Sequence, residues 1–311
     1  ATRQNLDIRA AMVEGFLVER GQCVGVHLKC PPVPGQPQAD TGGGRSLNQE
    51  FLLAGAVVLT TGTFMRGLMH TGASKTHGGR TGEGTSAGMS GTLRRLGFDL
   101  GRLKTGTPPR LAAETIDLES LEVQPGDAEP APFSEMTDLH PQKFPVLPQR
   151  VCWSTRTNPV IHEKIRANLD RAPMYNGQIE TTGPRYCPSL EDKVMRFADR
   201  TDHHVFLEPE SLDTNEIYCN GISTSLPADV QDYVVHHLPG CGKAKILRYG
   251  YAVEYDMVWP HQIDATCMAK RLPGLFLAGQ INGTSGYEEA AGQGLVAGIN
   301  AVRFRRGLDL V

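Results

Sequence analysis

The stretch Leu275–Gly294, LFLAGQINGTSGYEEAAGQG, carries the clearest fold signal in the chain. It begins as an apolar strand, breaks at a turn rich in Gly, Asn, Thr and Ser, and resumes as a helix with Leu295, Val296, Ile299 and Val302 along one stripe. In open α/β folds a ligand lies beyond the carboxyl end of such a strand, next to the free N–H groups of the following helix. The stretch therefore predicts either a cofactor site or a tightly packed strand–helix joint.

A second strand of the same kind occurs much earlier in the chain. Residues 55–64, GAVVLTTGTF, form a continuous apolar run that stops at Gly, which is typical of a buried parallel strand. We expect the two strands to be neighbours, so that Thr61-Gly62 and Ala278-Gly279 lie at the same edge of one sheet. Because a long and different sequence separates them, the pattern predicts an α/β fold with an inserted domain.

The remaining elements follow from periodicity and turn signals. Alternation of apolar residues around Glu19–Gln22 predicts a β-hairpin over residues 5–30. Residues 124–148, rich in Pro, Asp and Glu, are predicted to form an exposed loop. The other predicted elements are a strand over residues 50–53, a strand over 101–110 that turns at two prolines, helices over 89–96, 158–171 and 229–237, and a turn into a short helix over 183–197.

Composition limits the class of protein. The 311 residues are 40% hydrophobic and 21% charged, which is typical of a globular chain, and the net charge of -3 argues against wholesale nucleic-acid affinity. No run approaches the ~20 apolar residues of a membrane span. The N-terminus at Ala1 lacks the pattern of a signal peptide and predicts that the sequence starts inside a longer protein.

The seven cysteines are an odd number and include no C-x-x-C pair. They predict free thiols in a reducing compartment and no metal site. The simplest expectation for each cysteine is that it packs in the core as a small apolar side chain.

Several longer sequence motifs resemble those of the tRNA uridine 5-carboxymethylaminomethyl modification enzymes, the MnmG or GidA family. The resemblance covers nearly the whole chain and is carried by residues 57–64, 101–110, 183–189, 206–210, 279–284 and 286–291. It implies an FAD protein with a glutathione-reductase-like fold and an inserted NAD-binding α/β domain. It also implies a role in building the carboxymethylaminomethyl group at C5 of the wobble uridine, together with an MnmE-type GTPase and a folate one-carbon donor.

The resemblance also divides the chain. Residues 1–66 are expected to form the first part of the FAD-binding domain, residues 67–267 the inserted NAD and substrate region, and residues 268–311 the closing strand and helix of the FAD-binding domain. The family's N-terminal G-x-G-x-x-G unit and its C-terminal helical region have no counterpart here. The FAD-binding fold is therefore expected to be incomplete, as in an internal fragment.

Cys187 is the candidate catalytic residue. It follows Arg185 and precedes Pro188 at a turn into a helix, where a cation and a helix N-terminus favour the thiolate. A thiolate that attacks C6 of uridine makes C5 nucleophilic, as addition of carbon there requires. The residues alone also fit a structural thiol. The resemblance favours the functional role, and it implies a second cysteine outside this sequence, so which thiol attacks stays open.

The resemblance supplies the cofactor contacts. The run 183–197 resembles the family's NAD segment, which implies binding by Gly183, Pro184, Arg185, Tyr186, Pro188, Ser189, Leu190, Glu191, Asp192, Lys193, Val194, Met195, Arg196 and Phe197. For FAD, the contacts implied or predicted are Val13, Thr61, Gly62, Ser86, Gly279, Gln280, Glu288 and Glu289. Val13 and Ser86 fit ordinary hairpin and loop positions equally well.

Four basic residues are candidates for tRNA phosphates: Arg80, Lys104, Arg110 and Arg156. They are spread through the sequence, and a solvated surface is the alternative for each. A basic face requires that the loops after the strands converge.

The predicted function is FAD- and NADH-dependent modification of the tRNA wobble uridine by a cytoplasmic homodimer, with a mitochondrial location as the alternative. A related enzyme, the folate- and FAD-dependent tRNA uracil-5-methyltransferase TrmFO, is the alternative activity. A third hypothesis is an RNA- or partner-binding module without catalysis.

Overall fold

The computed structural model describes residues 4–30, 48–139, 144–145, 147–179, 181 and 188–311. The strands in these ranges are β1 (Met12–Glu19), β2 (Gln22–Cys30), β3 (Asn48–Leu53), β4 (Val57–Leu59), β5 (Leu68–Thr71), β6 (Ser74–His77), β7 (Leu100–Thr107), β8 (Arg110–Ala112), β9 (Glu122–Gln124), β10 (Cys152–Arg156), β11 (His204–Pro209), β12 (Glu216–Asn220), β13 (Ile246–Arg248), β14 (Tyr251–Val258) and β15 (Leu275–Leu277).

The α-helices are α1 (Ala87–Arg95), α2 (Pro159–Arg166), α3 (Leu190–Arg196), α4 (Ala228–His236) and α5 (Tyr287–Arg305). Short 3₁₀ helices occupy Ala113–Thr115, Leu118–Ser120, Glu135–Leu139, Leu169–Arg171, Pro260–Gln262 and Gly279–Asn282. In the described parts of the chain, none of the helices combines the length and the apolar character needed to cross a membrane.

Strands β1, β2 and β3 form an antiparallel sheet. The predicted hairpin is confirmed: Glu19 pairs with Gln22, and the two residues between them, Arg20 and Gly21, have φ angles of 49° and 78°. Two successive left-handed residues make the tight turn that suits the twist of a hairpin. The predicted third strand is present as β3.

Strands β4 and β15 form a parallel pair, in which Leu59 lies beside Leu277. The backbone N–H of Ala278 donates to the carbonyl of Leu59 at 3.1 Å. The prediction that the two apolar strands end side by side is therefore confirmed. Their carboxyl ends lead into Gly62 and Gly279, which places these glycines at one edge of the sheet.

A four-stranded antiparallel sheet follows, in the order β6-β5-β14-β7. Strand β7 runs along the whole of β14, from Tyr251 opposite Thr107 to Val258 opposite Leu100. The chain then turns at Pro108 and Pro109, as predicted, because proline has no N–H to continue the ladder. All four strands fall within residues 67–267, the stretch expected to be inserted, and the division of the chain into domains stays a prediction.

The same stretch, 67–267, also contains a six-stranded antiparallel sheet in the order β13-β8-β12-β11-β10-β9. Helices α2, α3 and α4 pack on it, and their common core includes Leu111, Ile161, Leu190, Leu207 and Val230. The three helices occupy the predicted stretches. The described residues of the predicted loop over 124–148 are exposed or half-buried, and one 3₁₀ helix lies among them.

Helix α5 differs from the prediction in the face it buries. Leu295, Ile299 and Val302 of the predicted apolar stripe are exposed, while Ala297 and Asn300 are buried. Small residues on the buried face allow the helix to lie close to β4 and β15. The amide of Asn300 fixes this face, since its Nδ2 donates to the carbonyl of Thr266 at 3.2 Å.

Candidate cofactor cleft

A cleft of about 720 Å³ opens where the parallel strands end. One wall comes from the strand ends and the start of α5, and includes Gly62, Gly279 and Gln280. The opposite wall comes from the stretch 67–267, and includes Thr105 of β7 together with Pro188 and Lys193. Its volume lies in the range of small-molecule and cofactor sites, and it is at the position where open α/β sheets bind ligands.

Two glycines keep the strand-end wall of the cleft open. Gly62 has a φ of 54° and Gly279 a φ of 85°, in the left-handed region that favours glycine. Among the described residues, a Cβ at Gly62 would have only the Gln280 Oε1 within 4 Å, at 3.6 Å, and one at Gly279 only the Ala290 Cβ, at 3.7 Å. Any side chain at these positions would extend into the cleft. The two glycines thus form a cradle for a flat group.

The turn after β15 is tied to α5 by side-chain amides. The Gln293 Oε1 accepts from the N–H of Gly279 at 2.9 Å and from the Asn282 Nδ2 at 3.1 Å. The same Asn282 nitrogen donates to the carbonyl of Leu277 at 2.7 Å. Thr61, between the cleft-lining Thr60 and Gly62, has a buried hydroxyl with no partner among the described residues. Thr61 itself does not line the cleft, and its role as an FAD contact stays a prediction.

The two glutamates at the start of α5 have different surroundings. The Glu289 carboxylate accepts from the N–H groups of Ser285 and Gly286, at 2.9 and 2.6 Å, and so caps its own helix. Hydrogen bonds, first from its own backbone N–H and then from the Ser285 hydroxyl, hold the pKa of Glu289 below its usual value. Glu288 is exposed. Glu289 therefore shapes the wall of the cleft by fixing the helix start.

Val13 and Ser86, predicted as further FAD contacts, lie together. The Ser86 hydroxyl donates to the carbonyl of Val13 at 3.1 Å, and Ser86 is the residue before α1. Neither residue lines the cleft described above. Their role in FAD binding stays a prediction.

The predicted NAD segment divides into three parts. Gly183, Pro184, Arg185, Tyr186 and Cys187 lie outside the described residues, whereas Pro188 lines the cleft. In α3, the side chains of Leu190 and Val194 are fully buried in the core of the inserted region. Hydrophobic packing accounts for these two positions, so any NAD contact there would have to use the backbone.

The polar residues of α3 also have partners within the protein. Ser189 and Asp192 cap the helix reciprocally, through bonds of 3.2 and 3.3 Å. Glu191 is fully buried and accepts from the N–H of Ser225 at 3.0 Å. The Lys193 Nζ donates to the carbonyl of Gly221 at 2.8 Å. Of the remaining residues, Met195, Arg196 and Phe197 are exposed.

The four basic residues predicted to bind tRNA do not form one face. Lys104 is only 2% exposed, so its side chain is inaccessible to a phosphate on the surface. Arg156 lies on β10 and pairs with Asp202 at 2.6 Å. Arg80 and Arg110 do converge, on a second cavity. Alternation along β7 places the Lys104 side chain on the buried face of its sheet, which is why the sequence-based expectation fails for this residue.

The second cavity has a volume of about 820 Å³ and adjoins the cofactor cleft. The two share Gly62, Thr105, Gly106, Tyr218, Gln280 and Tyr287. Its walls carry aromatic rings and guanidinium groups that the sequence reasoning missed, among them Tyr218, Arg248, Tyr249, Tyr251 and Tyr287. The motif Arg-Tyr-Gly-Tyr at 248–251 could have indicated this cavity, because it places two of the chain's eight tyrosines next to an arginine.

Arg110 is held firmly on the wall of this cavity. Its Nε and Nη2 donate to the Glu210 carboxylate at 3.0 and 3.1 Å, and its Nη1 donates to the Thr107 hydroxyl and the carbonyl of Pro108. Its guanidinium carbon also lies 4.3 Å from the centre of the Tyr218 ring. The hydrogen bonds hold the pKa of Glu210 below its usual value. Arg110 thus stabilises the turn at Pro108 and Pro109.

A cluster of charged side chains surrounds a buried carboxylate of the four-stranded sheet. The carboxylate of Asp256 on β14 is 2% exposed and accepts from the Arg102 Nη1 at 2.9 Å. Arg66 and Arg94 approach its other oxygen at 3.3 and 3.4 Å. We refer to these four residues as the Asp256 cluster. It joins β14, β7, α1 and the loop after β4.

Next to the Asp256 cluster, the buried Glu254 binds His70 through Oε2 at 2.9 Å and accepts from the Thr181 hydroxyl through Oε1 at 3.1 Å. Burial opposes ionisation of Glu254, but the hydrogen bond with His70 and the charge of Arg102 keep its pKa below the usual value. Thr181 is the described residue that precedes the segment 182–187. The chain is therefore anchored to the sheet just before that segment.

The comparisons with known proteins agree with this architecture. A family profile described as glucose inhibited division protein A matches residues 1–309. The tRNA uridine 5-carboxymethylaminomethyl modification enzyme MnmG of Rhodopirellula baltica is 53% identical over 305 residues, which are 97% of this chain and 44% of the relative. The MnmG of Streptococcus suis is 48% identical over 299 residues, which are 96% of this chain and 44% of the relative.

A solved structure of Aquifex aeolicus GidA superimposes with a TM-score of 0.80 and 45% identity, over 97% of this chain and 47% of that protein. The α/β fold implied by the sequence motifs is thereby confirmed. The chain spans less than half the length of these relatives. With the parallel strand pair, the glycine-lined cleft and the family profile in agreement, the chain belongs to the glucose inhibited division protein A family.

Proposed function

We propose that the chain is part of an enzyme that adds the carboxymethylaminomethyl group to C5 of the wobble uridine of tRNA, with FAD and NADH as cofactors. The names of the curated relatives support the reaction, since each is a tRNA uridine 5-carboxymethylaminomethyl modification enzyme. Under this proposal the protein is a cytoplasmic homodimer that works with an MnmE-type GTPase and receives a one-carbon unit from a folate.

The observation that carries the proposal is the glycine cradle in the cofactor cleft. Gly62, Gly279 and Gln280 would contact FAD, and the N-terminal turn of α5 would present N–H groups to it. A helix N-terminus favours negative charge on the group it faces, so it favours a reduced, anionic flavin. FAD would supply the transfer of reducing equivalents, with NADH as their source.

Cys187 is the proposed nucleophile on the uridine. Attack of its thiolate on C6 would form the C6–S bond and give C5 the character of an enolate carbon, which then bonds to the incoming carbon. Elimination of the thiolate after loss of the C5 proton would restore the ring. Pro188, the next residue in the chain, lines the cofactor cleft, which supports this role. The base must leave its stack to be reached.

The proposal is tested first through FAD binding. We expect Gln280→Ala to weaken FAD binding by about fivefold, because one hydrogen bond to the cofactor is worth about 1 kcal/mol. Titration of the full chain and of the variant with FAD, followed by flavin absorbance, measures this. Gln149→Ala is the matched control, since Gln149 is exposed and does not line the cleft. Equal FAD affinity of both variants would argue against the assigned cleft.

The reaction is tested by analysis of tRNA nucleosides from cells that depend on this protein. Loss of the carboxymethylaminomethyl group at the wobble uridine when the gene is removed supports the proposal. Methyluridine lost from the T-loop instead would favour the TrmFO-like activity, and no change in either nucleoside would favour a binding module.

A further inference from the structure

The second cavity continues away from the cofactor cleft. A third cavity of about 340 Å³ shares Thr81, Arg248, Tyr249 and Tyr251 with it. We name the second and third cavities together the aromatic groove. The cofactor cleft opens into one end of this groove, and the groove leads from there along the 248–251 stretch. A ligand that occupies the cleft with one group therefore has space for further groups in the groove.

Two of the rings along the groove are held in place by their hydroxyl groups. Tyr249 is 38% exposed, and its hydroxyl donates to the Asp232 carboxylate, with distances of 3.1 and 3.3 Å to the two oxygens. Tyr251 accepts from the N–H of Thr81 at 3.4 Å. Rings that are already positioned lose little side-chain entropy when a flat group stacks on them.

The arginines that line the groove are paired with carboxylates, but two of them keep donors for an anion. Arg80 hydrogen-bonds Glu83 through Nε and Nη2, and its Nη1 has no partner among the described residues. Arg110 uses all three of its nitrogens within the protein. Among the described residues, the guanidinium of Arg248 hydrogen-bonds through Nη2 alone, to Glu210 and Glu216. Its Nε and Nη1 are left for a ligand, and its side chain is 46% exposed.

We propose that the aromatic groove binds single-stranded RNA, namely the nucleotides that flank the base presented to the cofactor cleft. Tyr249 stacks on a flanking base, and Arg248 and Arg80 bind phosphates on either side of it. Stacking on aromatic rings with nearby cations is how proteins hold unpaired nucleotides, and bases in a duplex do not offer their faces in this way. The inference rests on the proposed function only in taking RNA as the substrate.

The test is fluorescence anisotropy of the full chain with a labelled seven-nucleotide single strand and with a labelled hairpin that holds the same seven nucleotides in a closed duplex stem. We expect the single strand to bind more tightly. Tyr249→Ala should weaken its binding by about tenfold, whereas Tyr249→Phe should retain it, because the ring face supplies the stacking energy. Normal binding by Tyr249→Phe together with weak binding by Tyr249→Ala separates stacking from the hydrogen bond to Asp232.

The cation is tested through salt dependence. We expect Arg248→Ala to weaken binding and to reduce the slope of log K against log salt by about 0.7, the value for one phosphate contact to a single strand. Arg171→Ala is the matched control. Arg171 has a similarly exposed side chain, at 43%, and pairs with Asp229 at 2.7 Å, but it does not line the groove. Its affinity and its slope should match those of the unmodified protein.

Four results would overturn the inference: unchanged affinity of Tyr249→Ala, an unchanged slope for Arg248→Ala, duplex binding as tight as single-strand binding, or displacement of the RNA by oligoglutamate as effectively as by unlabelled RNA. The last would indicate an acidic peptide instead. Nucleoside analysis separates this inference from the proposed function. Groove-dependent RNA binding without modified uridine in cells would contradict the function and leave the inference standing.

Discussion

Replacement of Cys187 by Ser is expected to reduce wobble-uridine modification by about a thousandfold or more while flavin binding stays intact, because a serine hydroxyl is a far weaker nucleophile than a thiolate. The surroundings of the other cysteines support this choice. Burial raises the pKa of all six described thiols, Cys23, Cys30, Cys152, Cys219, Cys241 and Cys267, and brings that of Cys241 to about 12. Those thiols stay protonated near neutral pH.

The measurement is nucleoside analysis of tRNA from cells that carry only the variant gene, with flavin absorbance of the purified variant as the test of cofactor binding. Cys152→Ser is the matched control, since Cys152 lies partly exposed on β10 and outside the cofactor cleft. It should modify tRNA normally. Normal modification by Cys187→Ser would remove Cys187 from the mechanism.

Replacement of Asp256 by Asn is expected to lower the free energy of unfolding by about 3 kcal/mol, the low end for removal of one partner from a buried ion pair. Without the carboxylate, Arg102 keeps its charge in a mostly buried position. The loss is limited because Arg66 and Arg94 are about half exposed and can be hydrated by water. Urea unfolding of the full chain, followed by circular dichroism, measures the change.

The matched control is Asp202→Asn. Asp202 also pairs with an arginine, Arg156 at 2.6 Å, but both side chains are exposed. An exposed pair contributes about 0.5 kcal/mol, so this variant should be nearly as stable as the unmodified protein. Similar unfolding free energies for the two variants would show that the Asp256 cluster is no more important than a surface pair.

The sequence predicted the local elements well because their signals are local. The turn at Arg20 and Gly21 needs two left-handed residues, and alternating apolar residues flank it on both sides. Helix α2 begins with Asn158, whose Oδ1 accepts from the N–H of Ile161 at 3.0 Å, followed by Pro159 at the first helical position. Caps, turns and periodicity depend on residues a few positions apart.

The candidate site was predicted in part. Gly62, Gly279 and Gln280 meet at the cofactor cleft as expected, because parallel strands end at the same edge of a sheet. Lys104 was a candidate for tRNA phosphates because it is basic, and Val194 was assigned to NAD by its place in a family motif. The fold buries both. A sequence motif does not show whether a side chain on a strand or helix faces the core or the solvent.

The sequence by itself determined the strand–turn–helix stretch Leu275–Gly294, its parallel partner strand and the family of the chain. Apolar runs, glycines and long motifs are properties of neighbouring residues, so they can be read without the structure. Only the tertiary structure brought Arg80, Arg248 and Tyr249 into one groove and three arginines onto Asp256. Such groupings join residues that are far apart in the chain. They depend on how sheets pack, and packing is decided by the whole core and not by any single segment.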